Sequence, residues 1–169
     1  MLGIKCLAWD PSSGHAVSPV SPVVWISRVL RARCYARQWR TAGELKSVSR
    51  FETHPAPWEG CHCGVHALAR LLFLADYIGN SGLQSLLGPR LFCVLLRASG
   101  KILQYDIGWR AEEAEIIAVG PALGFACALW GAREAADALG VPFFDDTNEM
   151  WSNAPHEIRL APETQDGSP

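Results

Sequence analysis

Apolar positions recur at helical spacing in the middle of the chain. Val65, Leu68, Leu72 and Tyr77, with Ala69, Phe73 and Ile78 beside them, predict one helix over CGVHALARLLFLADYIG, with Gly79 as its stop. The following RLFCVLLRASGKILQYDIGWRAEEAEI reads as two or three antiparallel strands, with Ala98-Ser99-Gly100 as the first turn and Gly108 as a bulge or second turn. Pro121 suits a helix start, so ALGFACALWGAREAADALG is read as an amphipathic helix running to Gly140, with VPFF a short buried strand behind it. Upstream the pattern is less clean. Val29, Arg31, Arg33, Tyr35, Arg37 and Trp39 share one parity and Leu30, Ala32, Cys34, Ala36 and Gln38 the other, so strand and helix compete. A turn at Ala42-Gly43-Glu44 followed by LKSVSRF favours a β-hairpin over residues 33–51. PSSGHAVSPVSP at 11–22 is rich in Pro and Ser, and the chain beyond Asp145 is polar and Pro-rich. The expected organisation is a mobile arm over 1–22, one domain over 23–145 and a largely disordered tail over 146–169. The fold class is α+β, an antiparallel sheet of about five strands with two packed helices.

Composition supports one domain: 169 residues, 49% of them apolar, are enough to enclose a core. A net charge of −2 gives no general attraction to nucleic acid or membrane. The charge is unevenly distributed, however. Residues 1–54 hold eight basic against three acidic side chains, net +5, and the remainder is −7. In the basic half Arg31, Arg33, Arg37 and Arg40 alternate with Trp25, Tyr35 and Trp39, which makes protein or nucleic acid a candidate partner there, against the simpler reading of a solvated face. The best candidate for a membrane span, the seventeen uncharged residues Ile116–Ala132, divides at Gly120-Pro121 into the end of a strand and the start of a helix, so no membrane partner is expected. Six cysteines in 169 residues are too sparse for a disulfide scaffold, and MLGIKCLAWDPSSGH does not read as a secretion signal. A reducing cytoplasm is the expected location.

The chemistry concentrates in HPAPWEGCHCGVHAL, residues 54–68. Zinc takes four nitrogen and sulfur ligands in a tetrahedron, and His54, Cys61, Cys63 and His66 supply that mixture. In this reading Cys-x-Cys sets two thiolates on one side of a bend, His66 returns to them if a helix begins at Gly64, His54 closes the site and His62 points away. The same residues admit a cysteine-dependent enzyme. Cys63 in the first turn of a helix would be a thiolate nucleophile, with His54 or His66 as base, or Cys61 and Cys63 would form a redox pair. A purely structural role is the third reading, and Cys93 and Cys127, each inside an apolar run, belong to it. Cys6 and Cys34 carry no signal of their own. Glu112 and Glu115 form a possible carboxylate pair. The chain has no glycine-rich phosphate loop, no G-x-S-x-G and no H-E-x-x-H.

His54, Pro57, Cys61, Cys63, Gly64 and Ala67, then Gly108-Trp109-Arg110-Ala111-Glu112, then Gly140-Val141-Pro142 form a pattern that resembles a group of uncharacterised actinobacterial and actinophage proteins. These carry H-E-A-P-x-x-x-C-x-C-G-I-Y-A, strands ending in G-Y-R-A-E, and a helix ending Y-G-V-P-V. The resemblance spans residues 33–145. Pro55 stands where that pattern has Glu, His66 where it has Tyr, and Tyr105 where it tends to have His. His54, Cys61 and Cys63 remain as the shared trio. The resemblance implies a shared fold and carries no activity with it. The reading drawn from the residues is a small zinc-binding interaction or regulatory module built around the loop 54–66.

Overall fold

LGIKCLAWD at the start of the chain is apolar on both parities apart from Lys5, as suits a strand covered on both faces. In the computed structural model of the protein it forms β1 (Leu2–Asp10). The structure describes residues 1–19, 23–32, 34, 54–59, 61–82, 90–122 and 129–153. After β1 come β2 (His15–Val17), β3 (Val24–Trp25), β4 (Val29–Arg31), β5 (Val65–Leu68), α1 (Leu71–Asn80), β6 (Leu91–Tyr105), β7 (Gly108–Pro121), α2 (Leu129–Leu139) and α3 (Thr147–Ser152). All strand pairings among these elements are antiparallel. The α+β class is as expected, with seven strands rather than about five, and with three helices among the described residues.

The long β6–β7 hairpin is the frame. β1 pairs along one edge of β6 from Leu2↔Arg97 to Ala8↔Leu91. β5 pairs with β7 from Val65↔Ala111 to Leu68↔Gly108 and touches β1 at Ile4↔Leu68. The pairings β1–β6–β7–β5–β1 therefore close a circuit, which curls the sheet strongly. β2 and β3 extend it beyond β1, and β4 lies on β7 at Val29↔Glu115 to Arg31↔Glu113.

Each face of the sheet carries a buried cluster. One face carries Leu7, Trp9, Phe92, Val94, Leu96, Trp109, Ala111 and Ile116 and is covered by Ala132, Ala135 and Ala136 of α2. The other carries Leu2, Ile4, Cys6, Leu91, Cys93 and Leu95 and is covered by Leu74 and Ile78 of α1 and Met150 of α3. Asp146 caps α3, accepting from the backbone N–H groups of Asn148 and Glu149 at 2.7 and 2.9 Å. Among the described residues no helix is long and apolar enough to cross a membrane.

Several sequence expectations change. Residues 2–10 and 15–17 are not a mobile arm, because β1 is paired along both of its edges. Residues 147–152 are not tail, since the α3 side chain of Met150 is buried. The single helix expected over residues 63–79 divides at Ala69-Arg70. Val65 and Ala67 face inward from a strand, and the helix begins only at Leu71. Ala98-Ser99-Gly100 is not a turn. β6 runs straight through it, and Gly100, at φ 70°, accommodates a register shift between Ser99 and Ile102. The hairpin turns instead at Asp106-Ile107. β7 continues through Pro121, and VPFF makes a single parallel bridge, Val119↔Phe143. The hairpin expected over 33–51 lies outside the described residues except for Cys34.

Candidate metal centre

β4 and β5 occupy the same edge of β7, one after the other. β4 leaves that edge at Arg31↔Glu113, with Ala32 N–H still donating to the Glu112 carbonyl at 2.7 Å. β5 joins it at Val65↔Ala111. Cys34 lies three residues beyond the end of β4, and Cys63 two residues before the start of β5. The gap between the two strands thus collects side chains from distant parts of the chain. Cys34, His54, Cys61 and Cys63 each present one donor atom there, and the four atoms lie within 4.8 Å of one another.

The individual distances suit a four-coordinate ion. The Sγ atoms of Cys34 and Cys61 are 3.7 Å apart, against about 3.8 Å for two thiolates at Zn–S of about 2.3 Å in a tetrahedron. His54 Nε2 is 3.2 Å from Cys34 Sγ, and its Nδ1 is 3.8 Å from Cys63 Sγ. Nδ1 also lies 3.3 Å from the carbonyl of Pro55. A carbonyl only accepts, so a proton on Nδ1 donated there leaves Nε2 a lone pair for an ion.

The turn around the thiols is held from outside and inside. Cys61 N–H donates to the Trp58 carbonyl at 3.2 Å. Arg110 reaches up from β7 and donates through Nη1 to the carbonyls of Cys61 and Cys63, the latter at 3.3 Å, and through Nη2 to the Tyr105 hydroxyl. Gly64, at φ 122°, sits where a Cβ would be 3.1 Å from the Cβ atoms of both Arg110 and Pro57. A larger residue would press the turn away from Arg110. On the outer side, His54 stacks obliquely on Trp58 at 5.5 Å, and Lys101 lies 5.3 Å from the Trp58 ring.

The thiols are not equivalent. Burial pushes Cys61 up, but it is outweighed by the Cys63 backbone N–H and by hydrogen bonds from the Cys63, Cys34 and His54 side chains, which bring it down to about 7. Burial pushes Cys63 up, the Trp58 backbone opposes this only partly, and the neighbouring Cys61 and Cys34 sulfurs add to the rise, to about 11. One negative charge is easily held by the group. Accumulating more needs a cation.

The structure brings together three of the four residues read from the sequence as ligands, His54, Cys61 and Cys63. His66 is not among them. It lies on β5 opposite Arg110, its Nε2 2.9 Å from the His62 carbonyl, because the segment is strand rather than helix and alternation turns it away from the thiols. Cys34 takes its place. Cys63 is also not at a helix N-terminus, since α1 starts eight residues later, so the helix-dipole activation expected for it as a nucleophile is lacking, and its thiol is raised rather than lowered. Arg31 of the basic segment is ion-paired with Glu113 at 2.5 Å, and Arg28 and Arg97 share Glu115. Glu115 is thus engaged by arginines rather than paired with Glu112, whose carboxylate accepts from Lys101 N–H. Arg33, Arg37, Arg40 and Cys127 lie outside the described residues, while Cys93 is fully buried, as its apolar surroundings required.

No family model, curated protein or solved structure matches the chain.

Proposed function

We propose that Cys34, His54, Cys61 and Cys63 bind one zinc ion that fastens the end of β4 to the start of β5, and that the protein is a small interaction or regulatory module organised by that ion. The observation that carries this reading is the convergence within 4.8 Å of four soft donors from three separate stretches of chain. A three-thiolate, one-imidazole set is a usual structural zinc combination, closed to substrate because every position is filled by protein. That favours a structural ion over a catalytic one. The surface beside the site offers contact area: Trp58 and Tyr105 are 48% and 43% exposed. Exposed aromatic groups next to a rigid, metal-held loop suit protein recognition.

Elemental analysis of protein purified without an immobilised-metal column tests the reading. One zinc per chain is expected. Metal-free protein that takes up no zinc or cobalt, and whose melting temperature is unmoved by a chelator, would end it.

A further inference from the structure

We infer that Arg110 is the positioning residue and counter-charge of the Cys/His centre: its guanidinium holds the carbonyls of Cys61 and Cys63 and neutralises the single negative charge of a divalent ion bound by three thiolates and one imidazole. The inference rests on the metal reading above and goes beyond it by assigning a residue outside the ligand set.

Arg110 is buried, at 8% exposure. Four arginines nearer the surface, Arg28, Arg31, Arg97 and Arg133, each meet a carboxylate. Arg110 has none within salt-bridge reach among the described residues. Its partners are two carbonyls and a phenol, all neutral, with the Tyr105 ring centroid 5.0 Å from the guanidinium carbon. A guanidinium cannot shed its proton to escape burial, so a buried one needs a negative charge close by. The thiolate cluster it supports supplies that charge. A divalent ion with three thiolates and a neutral histidine totals −1, and Arg110 brings the sum to zero.

The placement follows from the fold. Arg110 stands on β7 opposite His66, one residue from Ala111, which pairs with the first residue of β5. From there its side chain passes beneath the Cys61–Cys63 turn, through space left open by the missing side chain of Gly64. The planar fork spans two carbonyls of one turn, which a lysine ammonium cannot do in the same way. Hydrogen bonds to the backbone of ligand residues fix the direction in which their sulfurs point.

The test uses the full chain loaded with cobalt as a spectroscopic probe and with zinc, affinities being read by competition with a chelator. Arg110→Met should weaken both metals by roughly 10- to 100-fold while the tetrahedral cobalt spectrum persists at saturation. Arg110→Lys, which keeps the charge and loses the fork, should recover at least half of that loss on a logarithmic scale. In a Cys34→His background the centre has two thiolates and is neutral, so adding Arg110→Met should cost clearly less than in the wild type. Equal binding by wild type and Arg110→Met would overturn the inference and leave the metal reading intact. Equal losses for Arg110→Met and Arg110→Lys would overturn the counter-charge and reduce Arg110 to a hydrogen-bonding strut. A wild type that binds neither metal would remove the metal reading, and this inference with it.

Discussion

Cys34 and Cys61 are 27 positions apart in sequence, and their sulfur atoms are 3.7 Å apart in space. Neither sulfur is brought there by its own local structure. Both arrive because β4 and β5 are laid end to end along β7. Replacing either sulfur should therefore act on metal binding and stability together, since ligand binding contributes to folding. Cys34→Ser, Cys61→Ser and Cys63→Ser should each lose zinc by elemental analysis and lower the melting temperature to that of chelator-treated wild type. His66→Ala and His62→Ala should keep the metal.

Cysteine labelling gives an independent ordering. In metal-free protein a limiting alkylating agent should reach Cys34 and Cys61, which are partly exposed, before Cys63, and Cys6 and Cys93 only on unfolding. Zinc should protect Cys34, Cys61 and Cys63 together. Peptide mapping at increasing times reads the order. Early labelling of Cys63 ahead of Cys61 would contradict the described placement.

Two glycines make a matched pair of substitutions with opposite signs. A side chain at Gly108 would run into the carbonyl of Ala67, where β5 crosses close to the hairpin turn. Gly108→Ala should destabilise by about 1–3 kcal/mol or more, because the β5–β7 ladder must shift. Gly79, near the end of α1, has open space around its Cβ position. Gly79→Ala should stabilise by about 0.5–1 kcal/mol through the entropy of the unfolded chain. Denaturant melts at neutral pH measure both.

Asp146 supplies a pH-dependent check on α3. The Glu149 backbone N–H is the main cause holding its carboxyl below its ordinary value; desolvation opposes it, and the Asn148 N–H and side chain add to the lowering. A carboxyl with a depressed folded value stabilises above its unfolded value and loses that contribution as pH falls through the folded one. Asp146→Ala should thus melt below wild type at pH 7, and the gap should close as the pH falls below the ordinary aspartate range. A gap that widens on acidification would rule out the cap as its source.

Part of this was legible in the sequence. The strands flanking Gly108, the α+β class and the concentration of ligands between His54 and Cys63 came from local pattern. Cys34 did not, because nothing in VLRARCYARQWR distinguishes it; its role depends on which edge β4 pairs with, a long-range choice. His66 was misplaced for a related reason. VHALARLLFL satisfies helical spacing, but Val65 and Ala67 also alternate, and pairing with β7 decided in favour of strand. The Ser/Pro stretch after Asp10-Pro11 has the composition of an arm, whereas LGIKCLAWD before it is apolar on both parities apart from Lys5, as a doubly covered strand is. Gly100 misled because a left-handed glycine serves a bulge as readily as a turn.

The chain that departs at Cys34 comes back at His54 with Nε2 3.2 Å from the sulfur it left behind. The ion proposed for that point would be a reversible cross-link between Cys34 and His54, taking entropy from the unfolded chain. The cost of closing such a loop grows only logarithmically with its length, about 0.6 kcal/mol for each doubling. On that proposal, a change in the number of residues between Cys34 and His54 would carry little penalty for metal binding.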